Sequence, residues 1–189
     1  MMDKDLYMLT EKFQILMSIN EEDKKRFKGI VSWAGQMMEL SVKERMCKGI
    51  FPKRGEVWTC NFGENVGSEI NGIRPALILQ LDQGNLYGNT TIVAPITNRE
   101  ERLPTQVTIH SDDVLYVETE LSGTVVLEQI RLVSKARLGR KIANLSDSAM
   151  SRVEKALLLA LGYSEDMFTM LEMIKEEQER LQVMASKSA

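Results

Sequence analysis

The chain has 189 residues, of which 43% are hydrophobic and 27% are charged, and its formal net charge is −3. This composition is typical of a globular domain and excludes a disordered or collagen-like chain. No apolar run approaches the roughly 20 residues that a membrane span needs, and the N-terminus lacks the apolar core of a signal peptide, so we expect a cytoplasmic protein with no membrane partner.

Cysteine, histidine and charge patterns limit the chemistry further. Cys47 and Cys60 lack metal-type spacing and are interpreted as reduced structural thiols. A single histidine, His110, leaves no histidine pair for acid–base catalysis. Three basic and six acidic residues follow Gly162, so this tail carries the whole net charge. The rest of the chain has equal numbers of basic and acidic residues, so the net charge does not exclude a local positive groove that binds nucleic acid.

The first 50 residues are predicted to form a helical extension. Asn20, followed by three acidic residues, is a predicted N-cap for a second helix. The segment Ser41-Val-Lys-Glu44 matches a capping box and predicts a short third helix that ends at Gly49-Ile-Phe-Pro52. Apolar residues recur at helical spacing in both longer segments: Leu6, Leu9, Phe13 and Leu16, then Phe27, Ile30, Val31, Ala34, Met37 and Met38.

The middle of the chain is predicted to be rich in β-strands. Short alternating segments with turn signals between them favour a small barrel. The segment 82–89 is predicted to be a turn, and 127–133 is interpreted as a strand running into a short turn. The predicted strands lie near 55–61, 74–81, 89–96, 105–109, 123–128 and 138–143.

The C-terminal part is predicted to be helical again. Ser146 or Ser148 is expected to cap a helix that runs through Leu161. Ser164 is expected to begin another helix that ends near Met184, with apolar residues at alternating spacings of four and three. We therefore divide the chain into a helical extension (1–50), a β-barrel domain (51–162) and a C-terminal helix with its tail (163–189).

A polar loop before the second predicted strand is the most informative segment. Gly67-Ser-Glu-Ile-Asn-Gly-Ile-Arg-Pro75 brings one arginine to the start of the apolar run Ala76-Leu-Ile-Leu-Gln80. Loops at strand ends concentrate binding and catalysis, and the planar arginine fork suits phosphate. Arg74 is therefore a candidate phosphate ligand, although an ordinary exposed arginine at a strand start would give the same pattern.

Several motifs occur in a fixed order around this loop: Pro52-Lys-Arg-Gly-Glu-Val-Trp58, Thr90-Thr-Ile-Val-Ala-Pro-Ile-Thr97, Val125-Val-Leu-Glu-Gln-Ile-Arg131 and Leu145-Ser-Asp-Ser-Ala-Met150. With the Arg74 loop, this set resembles the MazF/PemK family of toxin endoribonucleases from about Pro52 to Gly162. The resemblance implies an α+β fold, a small SH3-like β-barrel with C-terminal helices, here with an added N-terminal helical segment. It also implies a homodimer, with RNA bound across the dimer face, and a cognate antitoxin as partner.

The resemblance implies cleavage of single-stranded messenger RNA without a metal or other cofactor. The RNA 2′-hydroxyl would attack the adjacent phosphorus and leave a 2′,3′-cyclic phosphate and a 5′-hydroxyl. Arg74 matches the family's arginine and would stabilise the charge of the phosphorane. Thr97 matches its threonine and would orient the phosphate.

The RNA-binding residues implied are Ser68, Glu69, Asn85, Arg99 and Gln129. Glu69 has an alternative role as a salt-bridge partner of Arg74. Gln129 reads a base edge or, with equal support, holds a short turn in place. Phe62 is interpreted as a core or interface residue that could also stack on a base.

Two departures from the family pattern concern sequence preference. Leu81-Asp82 stands where an Asn-Asp pair is usual, and the proline of Ala94-Pro95 suggests a strand edge or bulge. Two other functions stay open, a non-enzymatic protein-binding module similar to the CcdB toxins and an RNA-binding regulator. The N-terminal extension has three candidate roles, as a docked cap, as a partner surface, and as a built-in regulator lying over the RNA groove.

Overall fold

The computed structural model describes residues 2–18, 20–45, 49–117 and 121–163, with scattered positions between 167 and 184. Its helices are α1 (Met2–Met17), α2 (Glu21–Glu44), α3 (Asp82–Tyr87) and α4 (Asp147–Ala160). Its strands are β1 (Glu56–Asn61), β2 (Ile73–Ile78), β3 (Thr90–Thr97), β4 (Gln106–Ile109), β5 (Val114–Val117), β6 (Gly123–Val126), β7 (Arg131–Ser134) and β8 (Leu138–Leu145).

The strands form one antiparallel sheet in the order β4-β6-β3-β2-β1-β8-β5, and β7 also pairs with β3. β3 pairs with β7 over Thr90–Val93 and with β6 at Ile96 and Thr97. Pro95 falls between these two ladders, so the proline marks a junction between partner strands. The sheet closes almost completely, which confirms the predicted α+β barrel with helices before and after it.

Side chains on the two faces of the sheet build two apolar clusters. Alternate residues of a strand point to opposite faces, so Leu77 and Leu79 enter one cluster while Ala76 and Ile78 enter the other. Burial on both faces explains why the second half of β2, from Ala76 to Ile78, is a continuous apolar run. The larger cluster is completed by residues of α4, namely Ala149, Met150, Val153 and Ala156.

α4 begins where the sequence predicts. The Ser146 hydroxyl oxygen accepts a hydrogen bond from the Ala149 backbone N–H at 3.2 Å, so Ser146 is the N-cap. Arg54 pairs with Glu154 at 2.9 Å and ties the helix to the turn before β1. The second predicted C-terminal helix falls largely outside the described residues, as does Cys47.

The N-terminal extension is helical, as predicted, but the third helix is wrong. α2 continues through Glu44, and the Ser41 hydroxyl donates to the Met37 carbonyl oxygen at 2.8 Å instead of capping a new helix. Phe13 and Phe27 pack edge to face at 4.7 Å and join α1 to α2. None of the helices in the described part of the chain is both long and apolar enough to cross a bilayer.

Three local predictions for the barrel also need correction. The segment 82–89 contains the short helix α3 where a turn is predicted. The segment 127–133 has a 3₁₀ turn at Leu127–Gln129 before β7, the reverse of the predicted order. The strands β5 and β7 have no counterpart among the predicted strands.

Candidate functional site

A loop from Gly63 to Gly72 joins β1 to β2, and two hydrogen bonds close its neck. The Phe62 N–H donates to the Gly72 carbonyl oxygen at 2.8 Å, and the Gly72 N–H donates to the Gly63 carbonyl oxygen at 2.8 Å. Both glycines have positive φ, 79° and 74°, which favours glycine over other residues. Inside the loop, the Asn65 amide donates to the Ile70 carbonyl oxygen at 2.7 Å. These hydrogen bonds hold the loop in one conformation where it enters β2.

Arg74 is the second residue of β2, and its side chain is exposed. Its Nε donates to the Asn71 carbonyl oxygen at 3.2 Å, so the end of the loop orients the guanidinium. Among the described residues no second partner of this guanidinium is found, which leaves its two terminal nitrogens able to hold a phosphate.

Thr97 is the last residue of β3, and it is 5% exposed. Its hydroxyl oxygen accepts from the Arg99 backbone N–H at 3.4 Å. The antiparallel β2–β3 ladder pairs Ala76 with Pro95. The β2–β3 ladder ends at this pair; extending its register by two residues brings Arg74 opposite Thr97, on the sheet face that Ala76 also occupies.

A groove of about 500 Å³ lies between the loop and the 3₁₀ turn before β7. The Gln129 side-chain oxygen accepts from the Ile70 N–H at 2.8 Å, and its amide nitrogen donates to the Ser68 carbonyl oxygen at 3.2 Å. Gln129 thus holds the loop against the turn. The groove is lined by Phe62, Val66, Ser68, Glu69, Ile70, Glu128, Gln129, Ile130 and Arg131.

The carboxylates of this groove are bound locally. Glu69 accepts from the Val66 N–H at 3.2 Å, and no ion pair joins Glu69 to Arg74 between these two described side chains. Glu128 accepts from the Thr105 hydroxyl at 3.2 Å and from the Gln106 amide. Neither carboxylate neutralises Arg74, so its charge remains available to an anion.

Arg131, the last residue of the Val125–Arg131 motif, also lines this groove. Its guanidinium lies 5.8 Å from the Phe62 ring centroid and donates to the Asn65 side-chain oxygen at 3.4 Å. Phe62 itself is 1% exposed, so it is a core residue with no free face for a base. Arg131 follows Gln129 by two residues in the sequence, and this spacing could have placed Arg131 at the groove.

Cys60 pairs with Arg74 across the β1–β2 ladder. Burial raises the pKa of its thiol to about 12, although the charges of Arg137 and Arg131 act in the opposite direction. Because the thiolate is the reactive form, Cys60 is not a nucleophile at neutral pH. This agrees with its interpretation as a structural thiol.

Two of the expected RNA contacts lie away from the groove. Asn85 is 1% exposed, and its amide donates to the Gln80 carbonyl oxygen at 3.0 Å inside the turn that α3 forms. Asn85 therefore stabilises the backbone of this turn, and a direct RNA contact from Asn85 does not fit this buried position. Arg99 is exposed just past Thr97, but it does not line the groove.

The described residues contain no group of three or more histidine, cysteine, aspartate or glutamate side chains placed to hold a metal ion.

Comparison with known proteins gives consistent matches over the barrel. Residues 53–161 match a family described as PemK-like, MazF-like toxin of type II toxin–antitoxin system. The chain is 41% identical over 112 residues to endoribonuclease EndoA of Bacillus subtilis (strain 168), which covers 58% of this chain and 94% of that protein. It resembles the crystal structure of MazF (Form-I) from Deinococcus radiodurans with a TM-score of 0.53 and 25% identity, covering 60% of this chain and 99% of that one. The family match begins after α1 and α2 and ends within one residue of α4.

Proposed function

Because the chain belongs to the family of PemK-like, MazF-like toxins of type II toxin–antitoxin systems, we propose that it is an endoribonuclease toxin that cleaves single-stranded messenger RNA. One observation carries the assignment of its active site. Arg74 at the start of β2 and Thr97 at the end of β3 fall opposite each other when the β2–β3 register is extended by two residues, and neither Glu69 nor Glu128 forms an ion pair with Arg74 among the described side chains. An arginine and a hydroxyl at neighbouring strand ends can bind one phosphate together.

The chemistry follows from what RNA and these two side chains supply. The 2′-hydroxyl attacks the adjacent phosphorus, the bond to the 5′-oxygen breaks, and the products carry a 2′,3′-cyclic phosphate and a 5′-hydroxyl. Arg74 stabilises the negative charge that develops on the phosphorane oxygens, and such a preorganised donor contributes about 3–4 kcal/mol. The reaction as proposed uses no metal ion, since the attacking group belongs to the substrate.

Thr97 has a positioning contribution in the same step. Its hydroxyl oxygen already accepts from the Arg99 N–H, so its own hydrogen is free to donate to a phosphate oxygen. Guanidinium groups stay charged in proteins and make poor general bases, so the role proposed for Arg74 is electrostatic. In the proposed reaction the proton of the 2′-hydroxyl passes to solvent water, and the departing 5′-oxygen takes a proton from water.

RNA would enter along the groove between the loop and the 3₁₀ turn. Ser68 and Glu69 are on the loop side, and Gln129 shapes the groove by holding that loop in place. Arg131 adds positive charge at the groove, and Arg99 adds it near Thr97. Arg131, Arg99 and Arg74 would supply the positive charge that attracts the RNA backbone, while Glu69 and Glu128 line the groove as well.

The partners proposed are an antitoxin protein and a second copy of the chain. The family description names a toxin of a toxin–antitoxin system, which supports a cognate antitoxin for this protein. In the proposed homodimer, RNA binds across the dimer face.

The test compares the full-length protein with its Arg74→Ala variant on a long single-stranded RNA in EDTA, mapping the ends by primer extension. We expect discrete cuts with 5′-hydroxyl ends from the unaltered protein. The variant should cut roughly 100- to 1,000-fold more slowly, as is usual when one charge-stabilising donor is removed. Arg180→Ala is the matched control, because that side chain is 82% exposed and lies beyond the family match.

Two results would contradict the proposal. Cleavage that disappears in EDTA would contradict the metal-free reaction, and equal cleavage by Arg74→Ala would remove Arg74 from the site. If the unaltered protein leaves RNA intact but still binds a partner protein, the non-enzymatic binding module becomes the better function.

A further inference from the structure

The added helix α2 docks on the barrel next to the neck of the Gly63–Gly72 loop. Trp33 is 8% exposed, and no other described side chain of α1 or α2 is buried. Trp33 lies outside the family match, which begins at residue 53. The contact that α2 makes with the barrel here therefore comes from the extension and lies outside the family match.

The contact between Trp33 and Gly63 depends on glycine. A Cβ built at Gly63 would overlap with the indole ring, so the ring fills the space where a side chain would stand. Arg137 lies on the ring, with its guanidinium carbon 4.9 Å from the ring centroid, and Nη1 donates to the Asn61 and Phe62 carbonyl oxygens at 3.2 Å. Trp33 is thus packed between the loop neck and the arginine that binds the same neck.

A second contact joins α2 to the neck through hydrogen bonds. The Asn61 amide nitrogen donates to the Gln36 side-chain oxygen at 3.1 Å. The Asn61 side-chain oxygen in turn accepts from the Gly63 N–H at 3.0 Å. Gln36 follows Trp33 by three residues, so both side chains leave the same face of the helix.

The neck is the point from which the loop could swing. It consists of two glycines with positive φ and two hydrogen bonds, one from Phe62 to Gly72 and one from Gly72 to Gly63, and Ser68 and Glu69 lie on the loop beyond it. The far end of the loop holds the Arg74 guanidinium through the Asn71 carbonyl oxygen. A shift at the neck would therefore move the groove wall and Arg74 together.

We propose that Trp33 and Gln36 are positioning residues, through which α2 fixes the neck of the Gly63–Gly72 loop and so sets how the loop presents Arg74 to RNA. The proposal rests on the nuclease function proposed above. It gives the N-terminal extension a role in activity through the loop, without contact between α2 and the reacting phosphate.

The experiment uses full-length Trp33→Ala, Gln36→Ala and Trp33→Phe proteins, with Met38→Ala as control. Met38 is 73% exposed on the same helix, so its truncation removes an apolar side chain without touching the barrel. The measurements are the single-turnover RNA cleavage rate and the hydrogen exchange of amides 63–74, both at a temperature where circular dichroism shows every variant folded.

We expect Trp33→Ala to cut RNA at least tenfold more slowly, since small displacements of a positioned group cost on the order of 10- to 100-fold in rate. Its amides 63–72 should exchange faster, while those of β3 stay protected. Gln36→Ala should show a smaller effect of the same kind, Trp33→Phe should restore most of the rate, and Met38→Ala should match the unaltered protein.

Unchanged loop exchange in Trp33→Ala would overturn the proposal whatever the nuclease result. Faster cleavage by Trp33→Ala would overturn it as well, because α2 would then be an inhibitory cover. Failure of the proposed function looks different: the unaltered protein and Arg74→Ala would then both leave RNA intact, and the exchange data alone would decide whether α2 holds the loop.

Discussion

The surroundings of Thr97 restrict the backbone that presents its hydroxyl. Gly123, at the start of β6, has a φ of 138°, and a Cβ there would lie 2.5 Å from the Thr97 carbonyl oxygen. The close approach of β6 therefore depends on glycine. The close approach of β6 and the hydrogen bond from the Arg99 N–H together hold Thr97 in one conformation in the absence of RNA.

Paired substitutions at Thr97 separate its hydroxyl from its shape. Thr97→Val keeps the branched side chain but removes the donor to phosphate, and we expect RNA cleavage to fall roughly 10- to 100-fold. Its free energy of unfolding should drop by only about 0.5–1.5 kcal/mol, the usual contribution of one hydrogen bond. Thr97→Ser keeps the hydroxyl and should retain most of the rate. Equal rates for Val and Ser, measured by primer extension, would show that the hydroxyl has no part in cleavage.

Individual residues differ in how far the sequence reveals their role. Arg74 can be proposed from the sequence alone because a guanidinium keeps its charge and its affinity for phosphate in almost any setting, and its role stays a prediction. Asn85 and Gln129 carry the same amide, which serves backbone groups as well as it serves RNA. Only the burial of Asn85 and the two loop contacts of Gln129 show that both hold backbone in place.

At the scale of elements, Glu56 links the turn before β1 to the strands on either side of it. Its carboxylate accepts from Lys141 Nζ on β8 at 2.8 Å, and from the Lys53 N–H and Trp58 Nε1 at 2.9 Å each. Burial acts to raise the pKa of Glu56, but these donors and the charge of Lys141 outweigh it. The pKa is therefore lowered from its ordinary value of 4.5.

The lowered pKa of Glu56 makes the β1–β8 contact sensitive to acid. A carboxylate with a depressed pKa stabilises the fold above its unfolded pKa, near 4.5, and this contribution is lost as the pH falls through the lower folded value. Glu56→Gln should be less stable than the unaltered protein at neutral pH. Its free energy of unfolding, from urea titrations, should fall less steeply below pH 4.5. If the free energy of unfolding depends on pH in the same way in both proteins, the Glu56 charge has no stabilising role. Asp113, whose pKa is also lowered, is present in both proteins and so does not affect the comparison.

Elements were predicted well where one local pattern decides them. β1, β2, β3 and α4 have clear alternation, an apolar run or a capping serine, and each lies close to its predicted bounds. β5 and β7 were missed because each closely follows a 3₁₀ turn, so a four-residue strand is hidden beside a turn signal; each pairs with a longer strand, β8 and β3 respectively. The capping box at Ser41 was overridden because α2 continues along the barrel, where Lys43 Nζ donates to the Ala136 carbonyl oxygen at 3.0 Å.

On the scale of the whole molecule, the barrel leaves apolar residues exposed beside the site. Val66 is 76% exposed on the loop, and Ile73, next to Arg74, is 71% exposed. Single exposed apolar residues are common, but two beside one groove favour an interface. They fit the proposal that a second copy of the chain completes the RNA-binding face.

A homodimer should sediment at twice the mass of the chain at micromolar concentration. If the interface includes the loop, Ile73→Glu should shift the protein towards the monomer, because an unpaired carboxylate is costly to bury. Tyr87→Glu is the matched control on α3, where the side chain is 79% exposed. A monomeric unaltered protein would exclude the dimer, and a dimer indifferent to Ile73→Glu would move the interface elsewhere.

The pairing of β1 with β8 has a consequence for the order in which the molecule is made. A ribosome releases the chain from its N-terminus, so α1, α2 and β1 emerge long before β8, which ends at Leu145. Until then, β1 lacks one of its two neighbours and the barrel cannot close. A nascent chain stalled before Leu138 should therefore have no nuclease activity. If messenger RNA is the substrate, as proposed, the protein would become active only after most of its own message has been translated.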